Sequence, residues 1–85
     1  MNISKHEQRV LHELALGGSI HYERLESGKI DNVTCYTRNG HVLEDCTLAV
    51  FQRLLKRRLI RSRNGAPYRV SALGIKSVRA QMNQR

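Results

Sequence analysis

The chain has 85 residues, which is enough for one domain and one modest core but leaves no room for a deep catalytic cavity. Hydrophobic residues make up 40% of it, and no apolar run approaches the roughly 20 residues that cross a bilayer. Residues 1–5 contain no apolar stretch of the kind that a signal peptide requires, so we expect no secretion. These features predict a single cytoplasmic domain over residues 1–85 and exclude a membrane protein.

The net charge of +8 is distributed very unevenly along the chain. Residues 1–45 contain five Lys or Arg together with all seven acidic residues, whereas residues 46–85 contain ten Lys or Arg and no acidic residue. Such asymmetry predicts a positive field over one side of the molecule, suited to a phosphate backbone or to an acidic protein surface. A charged surface that serves solubility alone is the alternative.

The first predicted element is a helix. Ser4 and Glu7 have the spacing of a capping box, so the helix should begin at Lys5. Gly17 and Gly18 provide the stop signal. The apolar residues that share one face of this helix are Val10, Leu11 and Leu14.

Residues 19–44 change to a period of two, which predicts a three-stranded meander with strands at residues 19–24, 30–38 and 41–44. The dipeptide Asn39-Gly40 favours a two-residue type I′ turn. That turn would pair Tyr36 with Leu43 and place both side chains on one face of the sheet.

A second helix is predicted to begin within residues 45–47 and to continue to Arg57. Its apolar arc contains Leu48, Phe51, Leu54, Leu55 and Leu59. The opposite arc contains Ala49, Arg53, Lys56 and Arg57. Because Arg58 would fall inside the apolar arc, the helix is expected to loosen there.

The C-terminal part is predicted to form a β-hairpin and a last helix. Strands at residues 59–63 and 68–70 flank a turn at residues 64–67, and the hairpin contains Arg61, Arg63 and Arg69. Ser71 can cap the last helix. The apolar stripe of that helix contains Ile75, Val78 and Met82.

The order of elements predicts an α+β domain of winged-helix-like type, because a cationic amphipathic helix followed by a basic hairpin is the layout of winged helix-turn-helix modules. The meander lies where such a module has another helix, so a complete helix-turn-helix is not evident. The predicted surface for a nucleic acid or a protein partner consists of Arg53, Lys56, Arg57, Arg58, Arg61, Arg63 and Arg69.

Cysteines and histidines do not form a recognisable reactive site in the sequence. Cys35 and Cys46 are expected to be two buried thiols rather than a disulfide, since the compartment is reducing. A zinc site would have to recruit His21 and His41 without any ordinary ligand spacing. We therefore predict no metal, no cofactor and no catalytic residues.

Several peptides in the chain resemble one known family. The heptapeptide Asp-Cys-Thr-Leu-Ala-Val-Phe at residues 45–51 is the most specific. The others are Leu11-His12, Cys35-Tyr36, Asn64-Gly65, Pro67-Tyr68-Arg69 and Val78-Arg79-Ala80-Gln81. Together they resemble the YjhX family of small basic bacterial proteins over essentially the whole chain. The resemblance implies a toxin of a toxin-antitoxin pair that inhibits DNA topoisomerase I by binding, with an acetyltransferase-like antitoxin as partner.

Three questions stay open at the level of sequence. The basic surface could contact DNA or the topoisomerase itself. There are two alternative functions: a winged-helix DNA-binding transcription regulator and, less favoured, a ribonuclease. The argument against a ribonuclease is that His6 and His12 lie about 240° apart around their helix and cannot serve one phosphate. Finally, the exposed edges of the meander would allow pairing between two chains and hence a homodimer.

Overall fold

The computed structural model describes residues 3–82, and for residues 81 and 82 it describes the backbone alone. The chain folds as an α+β domain, as predicted, with helices and strands in the following order: α1 (Lys5–Ala15), β1 (Ser19–Arg24), β2 (Ile30–Tyr36), β3 (Val42–Leu43), α2 (Leu48–Lys56), β4 (Ile60–Arg61), β5 (Arg69–Val70) and α3 (Ala72–Met82). No helix among the described residues is both long and apolar enough to cross a membrane.

Helix α1 begins and ends where the sequence predicts. The hydroxyl of Ser4 accepts a hydrogen bond from the amide of Glu7, which satisfies one of the amides that a helix start leaves without a partner. At the other end, Gly17 has φ +112°. The amides of Gly17 and Gly18 donate back to the last turn, the geometry of a Schellman motif. The predicted apolar face is buried: Val10, Leu11 and Leu14.

The meander forms, but the predicted register between its second and third strands is wrong. Tyr36 lies opposite Val42, and Cys35 lies opposite Leu43. The amide of Thr37 donates to the carbonyl of His41 at 2.7 Å, so the turn between these two residues has three residues, 38–40, rather than two. Among them only Gly40 has a positive φ, whereas a type I′ turn requires positive φ at two positions. The shift turns Leu43 into the core beside Cys35 and leaves Val42 exposed.

Helix α2 is capped by Thr47 and ends before Arg58, which has φ +60°. Its apolar face differs from the predicted one at two positions: Val50 is buried, and Leu55 is 37% exposed. The amides of Arg58 and Leu59 donate to the carbonyls of Leu55 and Leu54, so a second Schellman motif ends this helix with an arginine in the position that usually holds glycine.

The hairpin β4–β5 lies beside β1, because Ile20 and Tyr68 exchange both backbone hydrogen bonds, at 2.9 and 2.8 Å. Tyr68 also packs edge-on against Phe51 of α2, with ring centroids 5.0 Å apart. Helix α3 starts at its predicted cap, where Ser71 accepts from the amide of Gly74. In its predicted apolar stripe Val78 is buried and Ile75 is 37% exposed, while the side chain of Met82 lies outside the described residues.

Candidate functional site

Five of the seven basic residues of the predicted surface form two groups in the structure. Arg61, Arg63 and Arg69, which we call the hairpin arginines, lie on or beside β4 and β5. Arg53 and Arg57 instead point at helix α1.

Arg53 and Arg57 hold a buried carboxylate. The Nε of Arg53 donates to Oε1 of Glu7 at 2.7 Å, and a terminal nitrogen of Arg57 donates to Oε2 at 3.1 Å. Glu7 is only 2% exposed, and its carboxylate also accepts from the hydroxyl of Ser4. A buried carboxylate needs such partners, because an unpaired buried charge is strongly destabilising. This pair of arginines therefore joins α2 to α1.

The hairpin arginines line a single concavity of about 320 Å³, which we call the basic concavity. Its remaining lining is mostly apolar: Ala66, Pro67, Val70 and Ala72. Arg61 and Arg69 are directly opposite each other in the β4–β5 register. Like charges at opposed positions of a strand pair are destabilising, and these two make no ion pair with an acidic side chain anywhere in residues 3–82.

The turn of the hairpin is fixed from both sides. Asn64 and Gly65 have φ +52° and +77°, and the amide of Ala66 donates to the carbonyl of Arg63 at 2.9 Å, as expected for a tight type I′-like turn. The hydroxyl of Tyr22 on β1 donates to the carbonyl of Gly65 at 2.9 Å. These contacts hold the arginine-bearing turn against the sheet.

Lys56 and Arg58 are exposed at the end of α2 and line neither the basic concavity nor the Glu7 contact. The positive φ of Arg58 is an unusual conformation for a residue with a Cβ and costs about 1–2 kcal/mol. That the seven predicted residues contact a nucleic acid or a protein partner stays a prediction.

Sequence reasoning missed the role of Glu7 and a second acid contact. His6 Nδ1 lies 3.1 Å from an Asp45 carboxylate oxygen, and Arg9 Nε lies 3.6 Å from the other oxygen. Both contacts link α1 to the segment before α2. His6 and Asp45 are 39 residues apart in the sequence, so no local spacing could reveal their contact. The imidazole of His6 is two-thirds exposed.

The two cysteines are buried, as predicted, and their thiols are hydrogen-bonded to each other. The hydrogen bond from Cys46 holds the pKa of the Cys35 thiol below its ordinary value. The same hydrogen bond, together with burial, raises the pKa of Cys46. Among the described residues, no group of three or more His, Cys, Asp or Glu side chains is arranged to hold a metal ion.

The fold and these contacts define a small basic α+β protein with an arginine-lined concavity on its hairpin. The chain belongs to the YjhX toxin family, whose sequence profile matches residues 1–85 and carries the description "Putative toxin of bacterial toxin-antitoxin pair". The family expected from the heptapeptide is thus confirmed.

Relatives share the full length of the chain. It is 55% identical to a UPF0386 protein of Beijerinckia indica and 58% identical to one of Brucella anthropi, with 100% of both chains covered in each case. A UPF0386 protein of Rhodospirillum rubrum is 62% identical over 81 residues, which cover 95% of this chain and 90% of the relative. No solved structure is significantly similar to the chain.

Proposed function

We propose that this protein is the toxin of a toxin-antitoxin pair and that it acts by binding, inhibiting DNA topoisomerase I through the basic surface of its hairpin. Membership of the family supports the toxin role. The topoisomerase as target follows from the resemblance to YjhX toxins, which also implies an acetyltransferase-like antitoxin.

The observation that carries this proposal is the unneutralised positive charge of the basic concavity. Arg61 and Arg69 oppose each other across two strands, and Arg63 lines the same surface. Natural sequences keep a locally unfavourable arrangement mainly where function requires it. Guanidinium groups suit phosphate and carboxylate partners because their planar forks donate two hydrogen bonds at once.

The contribution of α2 to this surface is smaller than the sequence alone implies. Arg53 and Arg57 already donate to Glu7, whose charge offsets part of theirs. Lys56 and Arg58 complete the positive surface at the C-terminal end of the helix. We therefore assign the main contact to the hairpin and a secondary one to these two residues.

The second candidate function is a winged-helix DNA-binding regulator. The antiparallel bridge between Ile20 and Tyr68 favours it, since it lays the hairpin beside β1 in the way that a wing lies beside its sheet. Against it stands the use of Arg53 for the contact with α1 rather than for a groove. A ribonuclease is disfavoured because His6, although paired with Asp45, is two-thirds exposed and lies outside the basic concavity, so it has no phosphate-binding group beside it there. We propose that the protein is not an enzyme.

The test is a relaxation assay with purified DNA topoisomerase I and supercoiled plasmid. The wild-type chain should inhibit at near-stoichiometric amounts. The hairpin variant R61Q/R63Q/R69Q should require at least roughly tenfold more protein, since each lost charge-assisted contact is worth about 1.5–3 kcal/mol before compensation.

The matched control is K76Q/R79Q, which removes two exposed cations of α3 outside the basic concavity and should inhibit as the wild type does. If the topoisomerase kept its full relaxation activity in the presence of equimolar wild-type chain, the proposal would be contradicted. If R61Q/R63Q/R69Q inhibited as well as the wild type does, the hairpin would not be the surface that inhibits the topoisomerase.

A further inference from the structure

Two further depressions lie near the basic concavity, and each shares lining residues with its neighbour. A depression of about 270 Å³, lined by His21, Tyr22, Gly65 and Pro67, shares Pro67 with the basic concavity. A third, of about 220 Å³, shares His21 and Tyr22 with the second. Shared lining residues thus link the three in series from the hairpin over β1 to β2, and we call this series the furrow.

The two ends of the furrow differ in chemistry. The hairpin end presents three guanidinium groups over an apolar floor. The sheet end, which we call the sheet depression, is lined by His21, Tyr22, Glu23, Asn32, Thr34 and Tyr36. All of these except Tyr22 lie on the same face of the β1–β2 pair, so their side chains offer rings, uncharged hydrogen-bonding groups and one carboxylate. One end therefore fits phosphates, and the other fits flat rings with polar edges.

The side chains of the sheet depression are suited to unpaired bases. His21 and Tyr36 are in edge-to-face contact with ring centroids 5.0 Å apart, so their π faces are held at a fixed angle across the two strands. Asn32 and Thr34 offer amide and hydroxyl groups for base edges. Glu23 repels a phosphate but can accept a hydrogen bond from the amino group of a base.

We propose that the furrow binds single-stranded nucleic acid, with phosphates on the hairpin arginines and bases on the sheet depression. A duplex is excluded as the preferred ligand because its bases are stacked and paired, and their faces and edges are then withheld from the sheet. This inference rests on the proposed function in that both use the basic concavity. It names the chemical class of the toxin's own ligand, independently of any topoisomerase.

The hairpin contact with β1 fixes the distance between the two ends. Tyr22 lines both sheet-side depressions, and its hydroxyl holds the carbonyl of Gly65 in the turn. Arg24 in turn lies over the Tyr22 ring, 5.1 Å from its centroid. The turn beside the basic concavity is thus tied to β1, the strand that carries His21.

The experiment measures fluorescence anisotropy of a labelled mixed-sequence single strand of about 12 nucleotides, and of the matching duplex, over a salt series. The wild type should bind the single strand more tightly. R61Q/R63Q/R69Q should weaken binding and reduce the slope of log affinity against log salt by about 2, at roughly 0.7 for each lost phosphate contact.

Variants of the sheet depression separate base contacts from charge. H21A, at an exposed position, and Y36A should each weaken binding several-fold to tenfold with no change in the salt slope, because stacking is uncharged. K76Q/R79Q is the control and should bind nearly as the wild type does. Thermal unfolding of every variant identifies a loss of binding that comes from misfolding, and H21A keeps the test valid if Y36A fails to fold.

Three results would overturn the inference. The first is equal or tighter binding of the duplex, and the second is unchanged affinity of H21A for the single strand. The third is displacement of the labelled strand by polyglutamate at a lower charge concentration than by unlabelled strand, which would indicate an acidic protein ligand. The relaxation assay separates this inference from the proposed function. Strand binding without topoisomerase inhibition contradicts the proposed function alone, and inhibition without strand binding contradicts this inference alone.

Discussion

The Nε of Arg53 lies 2.7 Å from Oε1 of Glu7, and this contact places a basic residue of the acid-free half against the acidic half of the chain. Glu7 is buried, while the Arg53 side chain is about half exposed. The ion pair therefore has a structural role: it fixes α2 against α1, whereas the hairpin arginines have no acidic partner among residues 3–82.

Removing both arginines while keeping Glu7 should destabilise the fold. We expect R53M/R57M to lose about 2–3 kcal/mol of unfolding free energy in urea titrations. The loss is below the full cost of a broken buried pair because the Glu7 carboxylate keeps its hydrogen bond from the Ser4 hydroxyl. Adding E7M should restore most of the loss, since apolar replacement of a whole buried ion pair is often neutral. Wild-type stability in R53M/R57M would contradict the structural role of the pair.

Arg58 should be replaceable by glycine with a gain in stability. Its φ of +60° costs about 1–2 kcal/mol, whereas glycine adopts that conformation freely and loses about 0.5–1 kcal/mol of chain entropy. R58G should therefore raise the unfolding free energy by about 0.5–1 kcal/mol. The control K56G, two residues earlier within α2, should lose about 1 kcal/mol. A destabilised R58G would mean that the arginine side chain makes compensating contacts.

Gly74 should not tolerate a methyl group. A Cβ there would lie 2.3 Å from the carbonyl oxygen of Leu59 and 2.6 Å from a methyl of Val70. Glycine to alanine within a helix ordinarily stabilises, but G74A should lose at least about 2 kcal/mol because α3 must move away from the hairpin. K76A, exposed on the same helix, should stay within about 0.5 kcal/mol of the wild type. Thermal melts of both variants check this, and a stable G74A would contradict the close packing.

Local signals in the sequence predict the elements well but not their long-range partners. The two Asn-Gly dipeptides illustrate the limit. Residues 64 and 65 both take positive φ and form the tight turn, whereas at residues 39 and 40 only the glycine does. The choice depends on which neighbour must be buried: a two-residue turn would point Leu43 away from Cys35 and out of the core.

The candidate site was predictable in the same partial way. The acid-free half and the arginines of the hairpin follow directly from the sequence. The contact of Arg53 and Arg57 with Glu7 does not, because Glu7 lies 46 and 50 residues away from them and has the spacing of an ordinary capping residue. The sheet depression was also missed, since only the β1–β2 register brings His21, Asn32 and Tyr36 onto one surface.

The most direct test of the central claim, that the hairpin is the surface that binds the target, is hydrogen–deuterium exchange of the chain with and without DNA topoisomerase I on single-stranded DNA. We predict slowed exchange in peptides that cover residues 60–70 and β1, and unchanged exchange in α1. Protection confined to α1 and α2, with residues 60–70 exchanging as in the free protein, would contradict it.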